Sequence, residues 1–189
     1  MEQLKKIVIL GPESTGKSTL CNQLANFYNT VWVPEYARQY LQDHGMNYTY
    51  DDLLTIAEGQ LASEDKYVSE FEKKNHGNLA GRNYSPLFID TNMHVMKVWC
   101  EFVFDRCHDW ILYQIALRKY DLYLLCNTDL PWVKDELREY PELESRQKLF
   151  HIYKDIMVNQ PVPWIEIGGN YEQRFAKAVR AVDELLAAP

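Results

Sequence analysis

Short apolar runs alternate along this chain with longer stretches in which apolar residues recur every three or four positions. The runs are Ile7–Leu10, Val31–Val33, Leu87–Ile89, Leu122–Leu125 and Ile165–Ile167. Each is continuous rather than alternating, the pattern of a strand buried on both faces. The periodic stretches predict helices from Lys17 to about Tyr28, from Tyr36 to about Asp43, and from just after Thr49 onward. Asp52 stands three residues beyond Thr49, a capping-box variant, and Leu54, Ala57, Leu61, Val68 and Phe71 fall on one stripe. Helices are also predicted over Met93–Phe104, Trp110–Lys119 and Arg146–Val158. A last one runs from about Tyr171, with Phe175, Val179, Val182 and Leu186 on one face. The segment from Asn75 to Ser85 reads as a polar surface loop. Strands joined by helical crossovers imply a parallel sheet covered on both faces. With 189 residues and no repeat, linker or low-complexity tract, one domain over 1–189 is expected.

In such a sheet ligands bind at the carboxyl ends of the strands, so the residues that follow each run carry the chemistry. The first run leads into Gly11-Pro12-Glu13-Ser14-Thr15-Gly16-Lys17-Ser18-Thr19. This is G-x-x-x-x-G-K-S between a strand and a helix, the P-loop signature in its required setting. The glycines let backbone N–H groups turn toward phosphate oxygens, and the following helix adds its positive end. Lys17 suits the β- and γ-phosphates of ATP, and the Ser18 hydroxyl suits Mg²⁺. The fold class expected is therefore α/β: a P-loop NTPase with a five-stranded parallel sheet, nucleoside- or nucleotide-kinase-like, with a lid.

Asp90 ends the third run, the Walker B position, and is a second candidate for Mg²⁺. Asn92 follows it and is a candidate for the acceptor side. Glu35 ends the second run, where a nucleoside kinase needs a carboxylate to orient and deprotonate the acceptor hydroxyl. Beyond the fourth run, a charged stretch holds Lys134, Arg138 and Arg146 among acids. A mobile lid over about 129–146, bringing Arg138 and Arg146 onto the transferring phosphoryl group, fits this placement. Asn127-Thr128-Asp129 lacks the lysine of a guanine-specificity N-K-x-D and has its aspartate one place early, which excludes a GTPase reading.

The formal net charge of −7 argues against a nucleic-acid-binding surface. Cys21, Cys100, Cys107 and Cys126 make no C-x-x-C pair, and the five histidines show no ligand spacing. Free thiols in a reducing cytoplasm are expected, with no metal centre of His and Cys. No signal peptide or membrane-length apolar stretch is visible, so neither a membrane nor a nucleic acid is an expected partner. The partners expected are small molecules, and nothing sets an oligomeric state.

GPESTGKST, PEYAR, FIDTN with Lys97-Val98-Trp99 beyond it, PWVKDELR with Arg146 beyond, and the tail PWIEIGGNYEQRF together resemble the ribosylnicotinamide kinase domain of the NadR family. The resemblance runs along essentially the whole chain in the same order. It implies ATP-dependent phosphorylation of the 5′-hydroxyl of nicotinamide riboside, giving nicotinamide mononucleotide for NAD salvage. By the same resemblance Gly11 to Ser18 would hold the ATP phosphates, with Thr19, Tyr171 and Arg174 also on the nucleotide side. Glu35, Tyr36 and Arg38 would line the riboside site, Asp90 would match the acid after strand three, and Asp135 and Arg138 would belong to the lid. Tyr36, Tyr40, Trp99 and Trp132 are all candidates to stack on the nicotinamide ring, and the sequence does not choose among them. The H-x-G-H motif of the adenylyltransferase part of larger family members is absent, so that second activity is not expected. The alternatives are a kinase of another nucleoside or small metabolite, and a regulator that senses ATP or NAD.

Overall fold

The computed structural model describes residues 3–75 and 84–188. Its strands are β1 (Gln3–Leu10), β2 (Trp32–Val33), β3 (Tyr84–Asp90), β4 (Leu122–Cys126) and β5 (Trp164–Ile167). Its helices are α1 (Lys17–Tyr28), α2 (Tyr36–His44), α3 (Tyr50–Asn75), α4 (Met93–Phe104), α5 (Asp109–Leu117), α6 (Leu143–Val158) and α7 (Tyr171–Ala187). The strands form one parallel sheet in the order β2-β3-β1-β4-β5. The central strand β1 pairs with β3 on one side and β4 on the other, so the loop that leaves it opens at the topological switch point.

The continuous apolar runs are explained by what each face meets. Ile7 and Ile9 of β1, Phe88 of β3 and Leu122, Leu124 and Cys126 of β4 pack with α1 and α7. Val8 and Leu10, Leu87 and Ile89, and Tyr123 and Leu125 point the other way, into a cluster with α4 and α6. Both sides of the pleat are buried, so no polar position alternates in. A third cluster, built from α2, α3, α4 and α5, lies beyond the sheet edge next to β2.

Several boundaries differ from those the pattern predicts. β1 begins at Gln3 rather than Ile7 because its two lysines find partners inside the fold. Lys5 Nζ reaches Asp121 at 3.1 Å, and Lys6 Nζ reaches the fully buried Glu64 at 3.0 Å. The Tyr120 hydroxyl also donates to Glu64, at 2.9 Å, so the buried carboxylate is paired and hydrogen-bonded. Tyr84 and Ser85 belong to β3 and Asn75 ends α3, so the predicted loop is shorter, and its part over 76–83 lies outside the described residues. Val31 falls outside β2 and is 39% exposed. α6 starts at Leu143, which puts Arg146 in its first turn instead of at the end of a lid reaching to 146. The capping box at Thr49 and Asp52 is present: the Thr49 N–H donates to Asp52 Oδ2 at 2.7 Å and the Asp52 N–H to Thr49 Oγ1 at 3.3 Å.

α3 fixes the strand ends that matter. The buried Gln60 accepts the Tyr36 N–H at 2.7 Å, and its amide donates toward the carbonyls of Pro34 (3.5 Å) and Asp90 (3.4 Å). One side chain thus ties the carboxyl ends of β2 and β3 together. Beside it, the missing side chain of Gly59 makes room for the Tyr36 ring: a Cβ there would lie 2.1 Å from that ring. Alanine in a helix interior ordinarily gains about 1 kcal/mol over glycine. Here overpacking should reverse the sign, so Gly59→Ala should lose about 1–3 kcal/mol in urea unfolding. A neutral or stabilising result would show that the Tyr36 ring is not held against α3.

Candidate active site

The loop from Gly11 to Thr19 turns through three left-handed residues, Gly11 (φ +138°), Ser14 (φ +55°) and Gly16 (φ +79°). A side chain at Gly11 would meet the Cys126 carbonyl at 2.6 Å, so only glycine passes there. The loop's carbonyls are bonded on the outside. Pro12 O accepts Thr15 Oγ1 at 2.8 Å and Lys17 Nζ at 2.9 Å, and Thr15 O accepts Arg174 Nη1 at 2.8 Å. α1 begins with no side-chain cap and no acid in its first turn. Its first N–H groups and its positive end are therefore directed at the cavity, a ready-made anion site.

Two carboxylates stand opposite. Asp90 is fully buried at the end of β3; the Ser18 hydroxyl donates to its Oδ2 at 2.5 Å, while Oδ1 has no partner. Burial, and then the neighbouring charge of Glu35, push its carboxyl up to about 7, against the lowering pull of Lys17 and Ser18. Glu35, at the end of β2, is half-buried, lines the cavity and accepts the Thr91 hydroxyl at 3.3 Å. Arg38, one turn into α2, also faces the cavity and pairs with Asp135 at 2.9 Å.

The cavity continues away from the loop between apolar walls. Leu41 comes from α2; Val95, Val98, Trp99 and Phe102 come from α4; Leu149 and Tyr153 come from α6. Trp99 Nε1 donates to the Tyr48 hydroxyl at 2.9 Å, and that hydroxyl donates to Glu139 at 2.8 Å, which fixes the indole plane. The connection between β4 and α6 covers the mouth. The Val133 N–H donates to Ser14 Oγ at 3.0 Å and Arg138 Nη1 to the same oxygen at 3.4 Å. The N–H groups of Glu139 and Tyr140 donate to Glu13 at 3.0 and 3.2 Å.

One cavity thus brings together Gly11, Glu13, Ser14, Thr15, Gly16, Lys17, Ser18, Thr19, Glu35, Arg38, Trp99 and Arg138, with Asp90 directly behind Ser18. Six candidates lie elsewhere. The Tyr36 ring rests on α3 instead of lining the riboside wall. Asn92 caps α4, accepting the His94 N–H at 3.1 Å, and its side chain also bonds Tyr123. Trp132 lies under two guanidiniums, those of Arg138 at 5.8 Å and Arg146 at 5.5 Å, and does not line the cavity. Arg174 is buried and committed to the carbonyls of Thr15, Asn127 and Gly169 and to the Asp129 carboxylate, so it supports the loop from behind. Asp135 is taken by Arg38 and by the Leu137 N–H at 3.0 Å. Tyr40, a candidate ring, is stacked on His44 and donates to Asp52.

Arg146 is buried beside the lining, with Nε and Nη1 unpartnered, and burial lowers its pKa. Tyr171 is 48% exposed, its ring about 3.5 Å from where a Cβ on Gly16 would sit. The sequence reading missed Val95, Val98, Phe102, Tyr140, Leu149 and Tyr153 as lining residues. Val95, Val98, Trp99 and Phe102 recur at helical spacing, a stripe that reads as ordinary core. Among the described residues no group of three or more His, Cys, Asp and Glu could hold a metal by itself.

A family model described as an AAA domain matches residues 6–174. The trifunctional NAD biosynthesis/regulator protein NadR of Salmonella typhimurium is 29% identical over 97% of this chain, and that of Escherichia coli K12 likewise. The chain spans 43% of the length of each. A crystal structure of NadR protein in complex with NR matches with a TM-score of 0.72 at 23% identity, covering 98% of this chain and 52% of that one. One of NadR protein with NAD and AMP-PNP gives 0.72 and 23%, covering 98% and 50%. Thymidylate kinase from Ehrlichia chaffeensis gives 0.67 at 12% identity, covering 95% and 99%. The solved structures share the five-stranded parallel P-loop kinase fold. The chain belongs to the AAA-domain family, as a P-loop kinase-fold protein homologous to NadR.

Proposed function

We propose that this protein transfers the γ-phosphoryl group of ATP to the 5′-hydroxyl of nicotinamide riboside, forming nicotinamide mononucleotide for NAD salvage. The observation that carries the reading is a single cavity with the phosphate cradle at one end, an aromatic and aliphatic wall at the other, and Glu35 between them. NadR protein binds NR, and it binds NAD with AMP-PNP, in structures that share this fold. The reading makes residues 1–189 one kinase domain with a lid formed by the β4–α6 connection.

The P-loop N–H groups and Lys17 would bind the phosphates, and Tyr171 offers a ring face beside Gly16 for the purine. Glu35 accepts the proton of the 5′-hydroxyl as its oxygen forms a bond to the γ-phosphorus and the bond to the leaving ADP oxygen breaks. Arg138 faces the charge that develops on the transferring group. Ser18 and Asp90 fit Mg²⁺: both are hard oxygen donors, and Oδ1 of Asp90 is buried without a partner. Bound there, Mg²⁺ would supply charge neutralisation across the β- and γ-phosphates. Of the rings left open by sequence, Trp99 is the one that faces the acceptor end, joined by Phe102 and Tyr140. A flat pyridinium cation suits such aromatic faces beside the Glu35 carboxylate.

Assaying nicotinamide riboside, thymidine, cytidine, uridine and adenosine side by side with Mg-ATP tests the acceptor. kcat/KM for nicotinamide riboside should exceed the others about tenfold or more, since a desolvated cation–π contact is worth about 2 kcal/mol. Preferential phosphorylation of thymidine or cytidine would refute the nicotinamide assignment and leave only the kinase class standing. Glu35→Gln keeps shape and hydrogen bonding but removes the base, so kcat should fall about 10²–10⁴-fold with ATP binding retained. A loss below about threefold would move the base role elsewhere.

Asp90 gives a prediction with opposite signs for stability and activity. Its carboxyl, normally near 3.8, is raised to about 7 in the fold, so folding favours the protonated form. That contribution is fully present below about pH 4 and is lost as pH rises through about 7. In ligand-free and metal-free protein at pH 8, Asp90→Asn should therefore melt higher than the unmutated protein, and the gap should close toward pH 5. Turnover should collapse in the same variant. A lower melting temperature at every pH would show that the buried charge is not a cost.

A further inference from the structure

The lid contains no helix or strand between Cys126 and Leu143, so its path is set by what it touches and not by hydrogen bonds of its own. The anchors that hold it beyond Leu130 lie on α2, the α2–α3 connection and the P-loop. Asp135 pairs with Arg38 of α2, but the arginine side chain is 44% exposed, and exposed ion pairs contribute little. Val133 and Arg138 donate to Ser14 of the P-loop. The Tyr48 hydroxyl donates to the Glu139 side chain at 2.8 Å, and a further anchor is Glu13. Its carboxylate accepts two successive backbone N–H groups, Glu139 at 3.3 and 3.0 Å to its two oxygens and Tyr140 at 3.2 Å.

Successive N–H groups aimed at one anion make a small nest, and hydrogen bonds to an ionised acceptor are the strong kind. Here the anion is a side chain of the P-loop itself. Ser14, next in sequence, adopts the left-handed conformation that non-glycine residues seldom take. Burial raises the Glu13 carboxyl above its ordinary value, and the amides of Tyr140 and Glu139 offset only part of that rise. A carboxylate beside a phosphate cradle is otherwise unfavourable, because it repels the polyphosphate the loop would bind. The anchors at 133, 135 and 139–140 bracket Arg138, whose guanidinium lies between Ser14 and the Trp132 ring.

We propose that Glu13 is a positioning residue: its carboxylate latches the lid to the P-loop through the Glu139 and Tyr140 amides and so presents Arg138 to the transferring phosphoryl group. The inference rests on the kinase reading for its last step, but the latch itself does not. Tightening the lid need not tighten nucleotide binding, because the Glu13 charge opposes the phosphates while the contact it makes orders the arginine. The latch therefore acts on kcat more than on KM for ATP.

The test uses the full chain and amide hydrogen exchange in the absence of nucleotide. In Glu13→Ala the Glu139 and Tyr140 amides should exchange about tenfold faster or more, with β1 and β4 amides unchanged. Glu13→Gln retains a carbonyl acceptor and should fall between. Unchanged exchange at 139 and 140 would overturn the latch, and equal acceleration in β1 and β4 would also overturn it by showing general loosening. Turnover is measured separately with nicotinamide riboside and Mg-ATP. Glu13→Ala should lower kcat about tenfold or more, since a misplacement of 1 Å can cost ~10²-fold, and KM for ATP should change less than about threefold. Adding Arg138→Ala to Glu13→Ala should cost much less than Arg138→Ala alone; full additivity would overturn the positioning role. If no nucleoside is phosphorylated by the unmutated protein, the kinase reading fails, and the exchange experiment still decides the latch.

Discussion

A loop that turns a row of N–H groups inward must turn carbonyls outward, and each outward carbonyl needs a donor. That accounting governs the geometry of the whole site. Pro12 O takes Thr15 and Lys17, Gly16 O takes the Leu20 N–H, and Thr15 O takes Arg174. Arg174 is the widest of these ties. The same buried guanidinium holds Asn127 O after β4 and Gly169 O after β5, and it pairs with Asp129. Removing it would leave carbonyls of three loops without partners at once, each an expensive loss inside a protein. The carboxyl ends of β1, β4 and β5 are thus fixed together by one side chain from α7, and Gln60 of α3 does the same for β2 and β3. Between these two clamps the edge of the sheet is rigid enough to present Lys17, Glu35 and Asp90 to one space.

How much of this could be read beforehand depends on whether a residue's role is local. The P-loop is nine consecutive residues whose chemistry lies in the backbone, so its spacing alone defines it. Asp90 and Glu35 end apolar runs, and a strand end in a parallel sheet has only one place to go. Asn92 and Tyr36 satisfy the same positional rule, yet each is taken by a neighbouring helix: Asn92 caps α4, and Tyr36 lies on Gly59. Position along a strand does not give the direction of a side chain two residues later. Trp132 and Arg174 failed for a related reason. An aromatic or an arginine near a site is as useful to its scaffold as to a ligand, and only the donors and acceptors around it decide. The five parallel strands and the two-sided burial followed from the runs; the added start of β1 did not, because Lys5 and Lys6 there are held by distant partners.

α4 shows why the apolar wall of the cavity was hidden. The helix is apolar on two sides. Met93, Met96 and Cys100 pack into the cluster beyond β2, while Val95, Val98, Trp99 and Phe102 look into the cavity. A one-dimensional pattern scores both stripes as core, because a cavity wall and a packed interior demand the same residue types. The feature that separates them is Trp99, whose indole is braced by Tyr48 and, through it, by Glu139. The wall and the lid are consequently not independent: a hydroxyl from the α2–α3 connection holds both the ring and the strip of chain that closes over it.

The charges at this edge are also divided by environment. Glu13, Glu35 and Asp90 stand among Lys17, Arg38 and Arg138, so the site is near balance although the chain carries −7. The members are committed differently. Glu13 holds lid amides, Arg38 holds Asp135, and Arg146, unpartnered at two nitrogens, lies against Trp132. Lys17 and Arg138 are held by the loop and its cover, through Pro12 O and Ser14 Oγ, and Glu35 and Asp90 are the two neighbouring carboxylates. Full burial falls on Asp90 and not on Glu35, which opens onto the cavity, so burial disfavours the charged form of Asp90. A cation arriving beside Ser18 would reverse that preference, because the charged form of Asp90 is the one it stabilises. On the proposed kinase reading, environment thus separates two acids at neighbouring strand ends into a cation ligand and a base, without any difference in their intrinsic chemistry.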